Sequence, residues 1–160
     1  MSQKLARSAQ TVQYALEQKN VQCKVLELPN SCRTAQEAAS SIGCAVSQIV
    51  KSLIFKTRMT VKPVLVLVSG PNRVNEKIIE SYISEEIIKA DAVFTKELTG
   101  FAIGGIPPIG HKHAIKLVFI DQDLLRFDDL WAAAGTPNAV FNIQVKDLLL
   151  MTNGRIVSVN

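Results

Sequence analysis

The segment from Gly100 to His113, GFAIGGIPPIGHKH, carries glycine at 100, 104, 105 and 110 and adjacent prolines at 107 and 108. Proline has no N–H to give, and glycine loses much backbone freedom when it is ordered, so neither a helix nor a central strand can run through it. The pattern predicts a short strand, Phe101 to Ile103, entering a stiff loop whose backbone is bare at Gly104 and Gly105. Bare amides held in place by prolines can bind an oxyanion or a phosphate. A tight turn without chemistry has the same composition, and both readings stand at this point.

Lys51 is the second residue out of place. It lies inside the apolar run Ile49 to Phe55, IVKSLIF, where strand alternation groups it with Ile49, Leu53 and Phe55. A lysine in such a run either snorkels to solvent from a strand end or stands at a pocket wall, aimed at a phosphate or a polarised carbonyl. Ser52 points to the opposite face, which disfavours a Ser–Lys nucleophile pair. The chain has no G-x-S-x-G elbow, no H-E-x-x-H, and neither of the common glycine-rich phosphate loops. Its two histidines, His111 and His113, fall in one loop and read as surface residues. Its cysteines, Cys23, Cys32 and Cys44, are odd in number and lack C-x-x-C spacing. Neither a metal site nor a disulfide framework is expected, and a reducing cytoplasm fits.

The elements that must position these groups follow from periodicity. Leu5, Ala9, Val12 and Leu16 make one apolar stripe, predicting a helix over Leu5 to Lys19. Gln22 to Leu28 alternates as a strand. Thr34-Ala35-Gln36-Glu37 is a capping box whose helix should end at Gly43. Ile49 to Phe55 and Pro63 to Val68 read as antiparallel core strands, the second too apolar to face water. Asn72 to Ile88 has helical spacing with a break near Ser84 and a second short helix. A short strand at Ala92 to Thr95 follows, then a core strand at Ile115 to Asp121. Leu130 to Ala134 and Val140 to Ile143 flank a turn at Gly135 to Asn138. A helix at Val145 to Met151 and a strand at Arg155 to Val159 close the chain.

With 160 residues, 48% of them hydrophobic, the chain is long enough for one well-filled core. The expectation is a single mixed α/β domain over 1–160, with a curved, largely antiparallel, barrel-like sheet and helices packed around it. No apolar run reaches the roughly 20 residues of a membrane helix, and MSQKLARSAQ lacks the apolar centre of a secretory signal. A net charge of +4 is compatible with a polyanionic partner and equally with a surface carrying a small excess of lysine.

Five segments occur in the order and spacing of one family: TAQEAA (34–39), QIVKSLIF (48–55), PVLVLVSG (63–70), GFAIGGIPPIGH (100–111) and AAGTPNAVF (133–141). On these the chain resembles the freestanding prolyl-tRNA-synthetase-associated editing domains, the YbaK-like aminoacyl-tRNA deacylases, from about Leu5 to the C-terminus. The resemblance implies hydrolysis of the ester joining a wrong amino acid to the 3′ end of a tRNA, without metal or cofactor and assisted by a hydroxyl of the terminal adenosine. It puts the family lysine on Lys51 and the G-x-x-x-P motif on Gly104 to Pro108. Lys51, Gly104, Gly105 and Pro108 are then the expected catalytic residues, with Ser52, Ile106, Pro107, Gly135 and Thr136 on the substrate side.

Relatives carry serine or histidine near 135–136, and the departure here leaves the amino acid open; a small side chain such as alanine is the expectation. Phe55, Phe141 and Trp131 could line the pocket, with core packing the expected job of each. Lys56, Lys112 and Lys116 could hold the tRNA body. The implied partners are aminoacyl-tRNA, through its acceptor end, and an aminoacyl-tRNA synthetase, with no DNA and no membrane. A non-catalytic tRNA- or synthetase-binding module and an esterase of small acylated metabolites are the rival functions.

Overall fold

The computed structural model describes residues 4–160. Helix α1, Arg7–Gln18, buries Ala9, Val12 and Leu16, the stripe legible in the sequence. Strand β1 is trimmed to Val25–Glu27. Ahead of it Gln13 takes over the backbone, its amide donating to the Cys23 carbonyl at 3.1 Å and its carbonyl accepting from the Val25 N–H at 2.8 Å. Helix α2, Ala35–Ile42, starts with Thr34 accepting the Glu37 N–H at 3.1 Å and ends at Gly43. The Glu37 carboxylate reaches one residue further back than the capping box predicts, to the Arg33 amide at 2.8 Å.

Strands β2 (Ile49–Thr57) and β3 (Pro63–Ser69) pair antiparallel from Val50 opposite Ser69 to Lys56 opposite Pro63. β3 is buried on both faces. Leu65 and Leu67 join the larger core with α1, and Val64, Val66 and Val68 pack beneath Ile79 of helix α3, Glu76–Ile83. Each such side chain is worth about 1.5–3 kcal/mol of burial. Beyond Ser84 the expected second helix is instead strand β4, Ile87–Lys89, because Glu80 accepts the Ile87 amide and the segment pairs with Phe55–Thr57 of β2.

The expected strand at Ala92 to Thr95 is also corrected. It is the start of helix α4, Ala92–Thr99, where Asp91 caps the Phe94 N–H at 2.8 Å and Gly100 closes the end with φ 82°. That leaves no strand at Phe101 to Ile103; these residues form turns, with the Phe101 N–H held by the Thr99 hydroxyl at 3.0 Å. Strands β5 (Leu117–Asp121), β6 (Asp129–Ala133) and β7 (Ala139–Gln144), helix α5 (Val145–Thr152) and strand β8 (Arg155–Val157) complete the chain.

The α/β class and the mixed sheet with surrounding helices are as expected. The strand order is β1-β7-β6-β2-β3-β5-β8, with β4 also on β2. Pairings β2–β6, β3–β5 and β5–β8 are parallel and the rest antiparallel. Among the described residues this path stays open rather than closing as a barrel. Its end strands, β1 and β8, are three residues long and offer few ladder groups to each other.

One edge of β2 is divided. β6 pairs with it only at Ile49–Val50 and β4 only at Phe55–Thr57. Between them Lys51, Ser52 and Leu53 have no paired residue on that side, and there the sheet opens.

Candidate active site

A cavity of about 690 Å³ occupies this opening. Its walls are the free edge of β2 (Val50 to Leu53), the loop Ile103 to Ile106, the turn after β3 including Arg73, the start of α2, and the β6–β7 region with Trp131 and Thr136. Of the residues expected from sequence, the fold brings together Lys51, Ser52, Gly104, Gly105, Ile106 and Thr136. Pro107, Pro108 and Gly135 do not line the cavity.

The glycine loop presents donors. Gly105 and Ile106 are buried, and among the described residues the amides of Gly104, Gly105 and Ile106 meet no protein acceptor. Buried backbone N–H groups are almost always paired, so donors left open at a cavity wall are poised for an oxygen from outside. The loop is pinned from behind. The Gly105 carbonyl accepts the Gly135 N–H at 2.8 Å, and a Cβ on Gly105 would come within 2.8 Å of the Thr136 backbone. Gly135, at φ 96°, is pressed against the Ser8 carbonyl, where a Cβ would sit 2.8 Å away. Its role is to let the β6–β7 turn latch the loop. Gly104 differs: its φ is 106°, yet a Cβ there would meet nothing within 4 Å. It also lines the cavity.

The prolines serve the same loop. The Pro107 carbonyl accepts from His111 Nε2 at 2.7 Å. A carbonyl can only accept, so Nε2 carries the hydrogen. Burial holds the imidazole below its usual range, against the opposing pull of the Pro107 carbonyl. His111 is thus a half-buried brace rather than a surface residue, while His113 is exposed. Pro108 lines a second hollow of about 330 Å³ on the far side of the loop, with Lys19, His111 and Met151.

Lys51 lines the same cavity as the loop, half-buried, its ammonium donating to the Asn72 carbonyl at 2.6 Å. Burial pushes its pKa down; the nearby Arg73 guanidinium adds to this, and Asp121 opposes it. Ser52 has a buried hydroxyl without a hydrogen-bond partner among the described residues. With no base beside it, that hydroxyl is not activated as a nucleophile. Among the described residues no three His, Cys, Asp or Glu side chains converge as metal ligands, and all three cysteines are free. Cys32 lines the cavity, packed against the Ala38–Ala39–Ile49 cluster, with its thiol 3.8 Å from the Asn30 carbonyl.

Two lining residues escape a sequence reading, and a third takes the less expected of its two roles. Arg33 and Arg73 give the mouth two further cations, and Trp131, expected in the core, is half-buried at the wall. Arg33 stands just before a recognised cap, which was the available signal. Arg73, in PNRVNE, has none. Phe55 and Phe141 are core residues as expected, and Lys56 lies 5.0 Å from the Phe94 ring centre. Among the described residues no helix is long and apolar enough to cross a membrane.

Residues 29–150 match the family model of the aminoacyl-tRNA editing domain. A solved structure described as a candidate trans-editing enzyme for prolyl-tRNA synthetase superposes with a TM-score of 0.93 at 42% identity, covering 98% of this chain and 99% of that one. The proline–tRNA ligase of Limosilactobacillus fermentum is 38% identical over 95 residues, which is 57% of this chain but 16% of the ligase. The chain therefore corresponds to a small part of that enzyme. Bacillus subtilis "Uncharacterized protein YwhH" is 28% identical over 141 residues, 88% of each chain.

Proposed function

Because the chain belongs to the aminoacyl-tRNA editing domain family, we propose that it is a trans-editing deacylase, cleaving the ester between a small amino acid and the 3′ end of a tRNA that reads proline codons or a related tRNA. The observation that carries this reading is the buried Gly105 amide, without a protein acceptor, facing the same cavity as the Lys51 ammonium. The ester carbonyl oxygen is taken by the amides of Gly104 and Gly105 as negative charge develops on it. Oxyanion donors of this kind are each worth about a hundredfold to a thousandfold in rate.

Lys51 holds the terminal nucleotide or the carbonyl oxygen, with Arg73 and Arg33 drawing the phosphates to the mouth. No cavity side chain is set as nucleophile or general base. Water attack is therefore assigned to assistance from a ribose hydroxyl of the terminal adenosine, with the protein supplying position and charge. Ser52, Ile106 and Thr136 are assigned to the amino-acid end, and selection there by size would admit small side chains and reject larger ones. The ring-fixed φ of Pro107 and Pro108 keeps the loop from relaxing.

A panel of mischarged tRNAs tests this, with alanyl-, cysteinyl- and prolyl-tRNA bearing the proline anticodon included. Hydrolysis of at least one small non-cognate ester, with cognate prolyl-tRNA spared, is expected. Equal hydrolysis of free aminoacyl esters would favour an esterase of small metabolites, and binding without turnover of any member would favour a non-catalytic module.

A further inference from the structure

The Lys51 ammonium does not hang free. Its acceptor, the Asn72 carbonyl at 2.6 Å, belongs to a turn closed by the Asn72 N–H on the Ser69 carbonyl at 2.9 Å. The Asn72 side-chain amide donates to Asp121 and to Asp123, each at 2.8 Å. Asp121 ends β5 and is 1% exposed. Its carboxylate also accepts the Ser69 N–H at 3.0 Å and the Asp123 N–H at 2.9 Å. Two segments about fifty residues apart in sequence are thereby fixed behind a single ammonium.

A free lysine stem carries about 2 kcal/mol of rotamer entropy, which a fixed acceptor removes before substrate arrives. We propose that Asn72 and Asp121 are positioning residues for Lys51: Asp121 clamps the Asn72 side chain, and the Asn72 carbonyl thereby holds the ammonium at the cavity wall. Its catalytic consequence rests on the deacylase reading above. The charged groups facing Lys51 are Arg73 on the same turn and Asp121 from β5, with Arg33 at the start of α2 lining the same cavity.

The test combines carbon-13 relaxation at the Lys51 Cε with deacylation kinetics on the full chain. Asn72→Ala keeps the backbone carbonyl but cuts its clamp, and Asn72 is only half-buried, so the fold should survive. The Lys51 order parameter is expected to fall in this variant, and kcat/KM on the best mischarged tRNA to fall roughly tenfold, the scale of one hydrogen bond to a charged group. Asp121→Asn should move the alkaline limb of the kcat/KM profile to lower pH, because Lys51 keeps Arg73 and loses its opposing neighbour. A merely structural loss would scale the profile without moving that limb.

A Lys51 as ordered in Asn72→Ala as in the parent overturns the proposal, as does a mobile Lys51 with kcat/KM within about twofold of the parent. If the parent deacylates no tRNA, the deacylase reading fails, and the relaxation measurement still decides whether the clamp holds Lys51.

Discussion

Two turns of this chain present backbone amides side by side, and the fold treats them in opposite ways. In the β2–β3 hairpin the N–H groups of Met59 and Thr60 both donate to Glu85, at 2.7 and 2.9 Å, and the Thr60 hydroxyl takes its other oxygen at 2.8 Å. Thr57 satisfies Lys62 at 2.7 Å. In the Gly104–Ile106 loop no carboxylate arrives, and the amides meet no protein acceptor among the described residues. One turn brings its own anion and is finished by folding. The other is equally fixed, through Gly135 and His111, but leaves its donors open to a cavity holding Lys51. Rigid and unpaired together is the state that an oxyanion site requires.

The largest expected effect is that of Lys51→Ala, which should cut deacylation by roughly a hundredfold or more without unfolding the chain. Single-turnover hydrolysis beside a thermal melt checks it, and turnover near the parent's would sink the assigned role. Gly105→Ala comes next. The atoms in its way are Thr136 backbone at 2.8 Å, so the loop must shift. Overpacking of this kind typically costs about 1–3 kcal/mol of stability, and kcat should fall with it. Gly104→Ala has room but the wrong φ, costing about 1–2 kcal/mol. Its methyl would project toward the ester, so it should lose activity with a smaller drop in melting temperature than Gly105→Ala. Equal losses in both would mean that the two glycines do not divide the work in this way.

The pH dependence follows from Lys51. Burial, aided by Arg73, lowers its pKa from the ordinary 10.5, so the ammonium and the activity should be lost at lower alkaline pH than for an ordinary lysine. For stability the sign is opposite. The unfolded chain holds this proton more tightly than the folded one, so stability rises as pH passes up through the folded pKa. Lys51→Met should therefore cost no melting temperature at neutral pH. The smallest effect belongs to the hairpin. Hydrogen bonds, first from the Thr60 amide, hold Glu85 below the usual carboxylate range, so its contribution is present above the unfolded pKa and fades as pH falls through the folded one. Glu85→Gln should lower the melting temperature slightly at neutral pH and leave deacylation unchanged. A deacylation defect there would erase the contrast between the turns.

Much of this was legible in the sequence. The α1 stripe, the Thr34 cap, the β2–β3 pair and the bare loop are local patterns that the fold kept. The errors were local signals overread or missed. DAVFTKELTG has both Asp91 at the N-cap and Gly100 at the C-terminus of a helix, yet Ala92 to Thr95 read as strand because Val93 and Phe94 are β-formers. Ile87–Lys89 became a strand because β2 offered it an edge at Phe55–Thr57, a tertiary fact. The role of Gly135 was misplaced because proximity to substrate and proximity to the loop look alike in a linear string.

The sequence by itself determined the family, the class of fold, and the two groups to which the proposed chemistry is assigned, since lysine in an apolar strand and glycine before proline are anomalies visible without neighbours. Tertiary structure alone decided that β2 is left unpaired at Lys51 to Leu53, that Arg33 and Arg73 reach the same mouth, and that Asp121 stands behind Asn72. Those facts depend on which segments meet across the sheet. Such meetings are set by burial and register over long separations, and neither leaves a mark in the spacing of nearby residues.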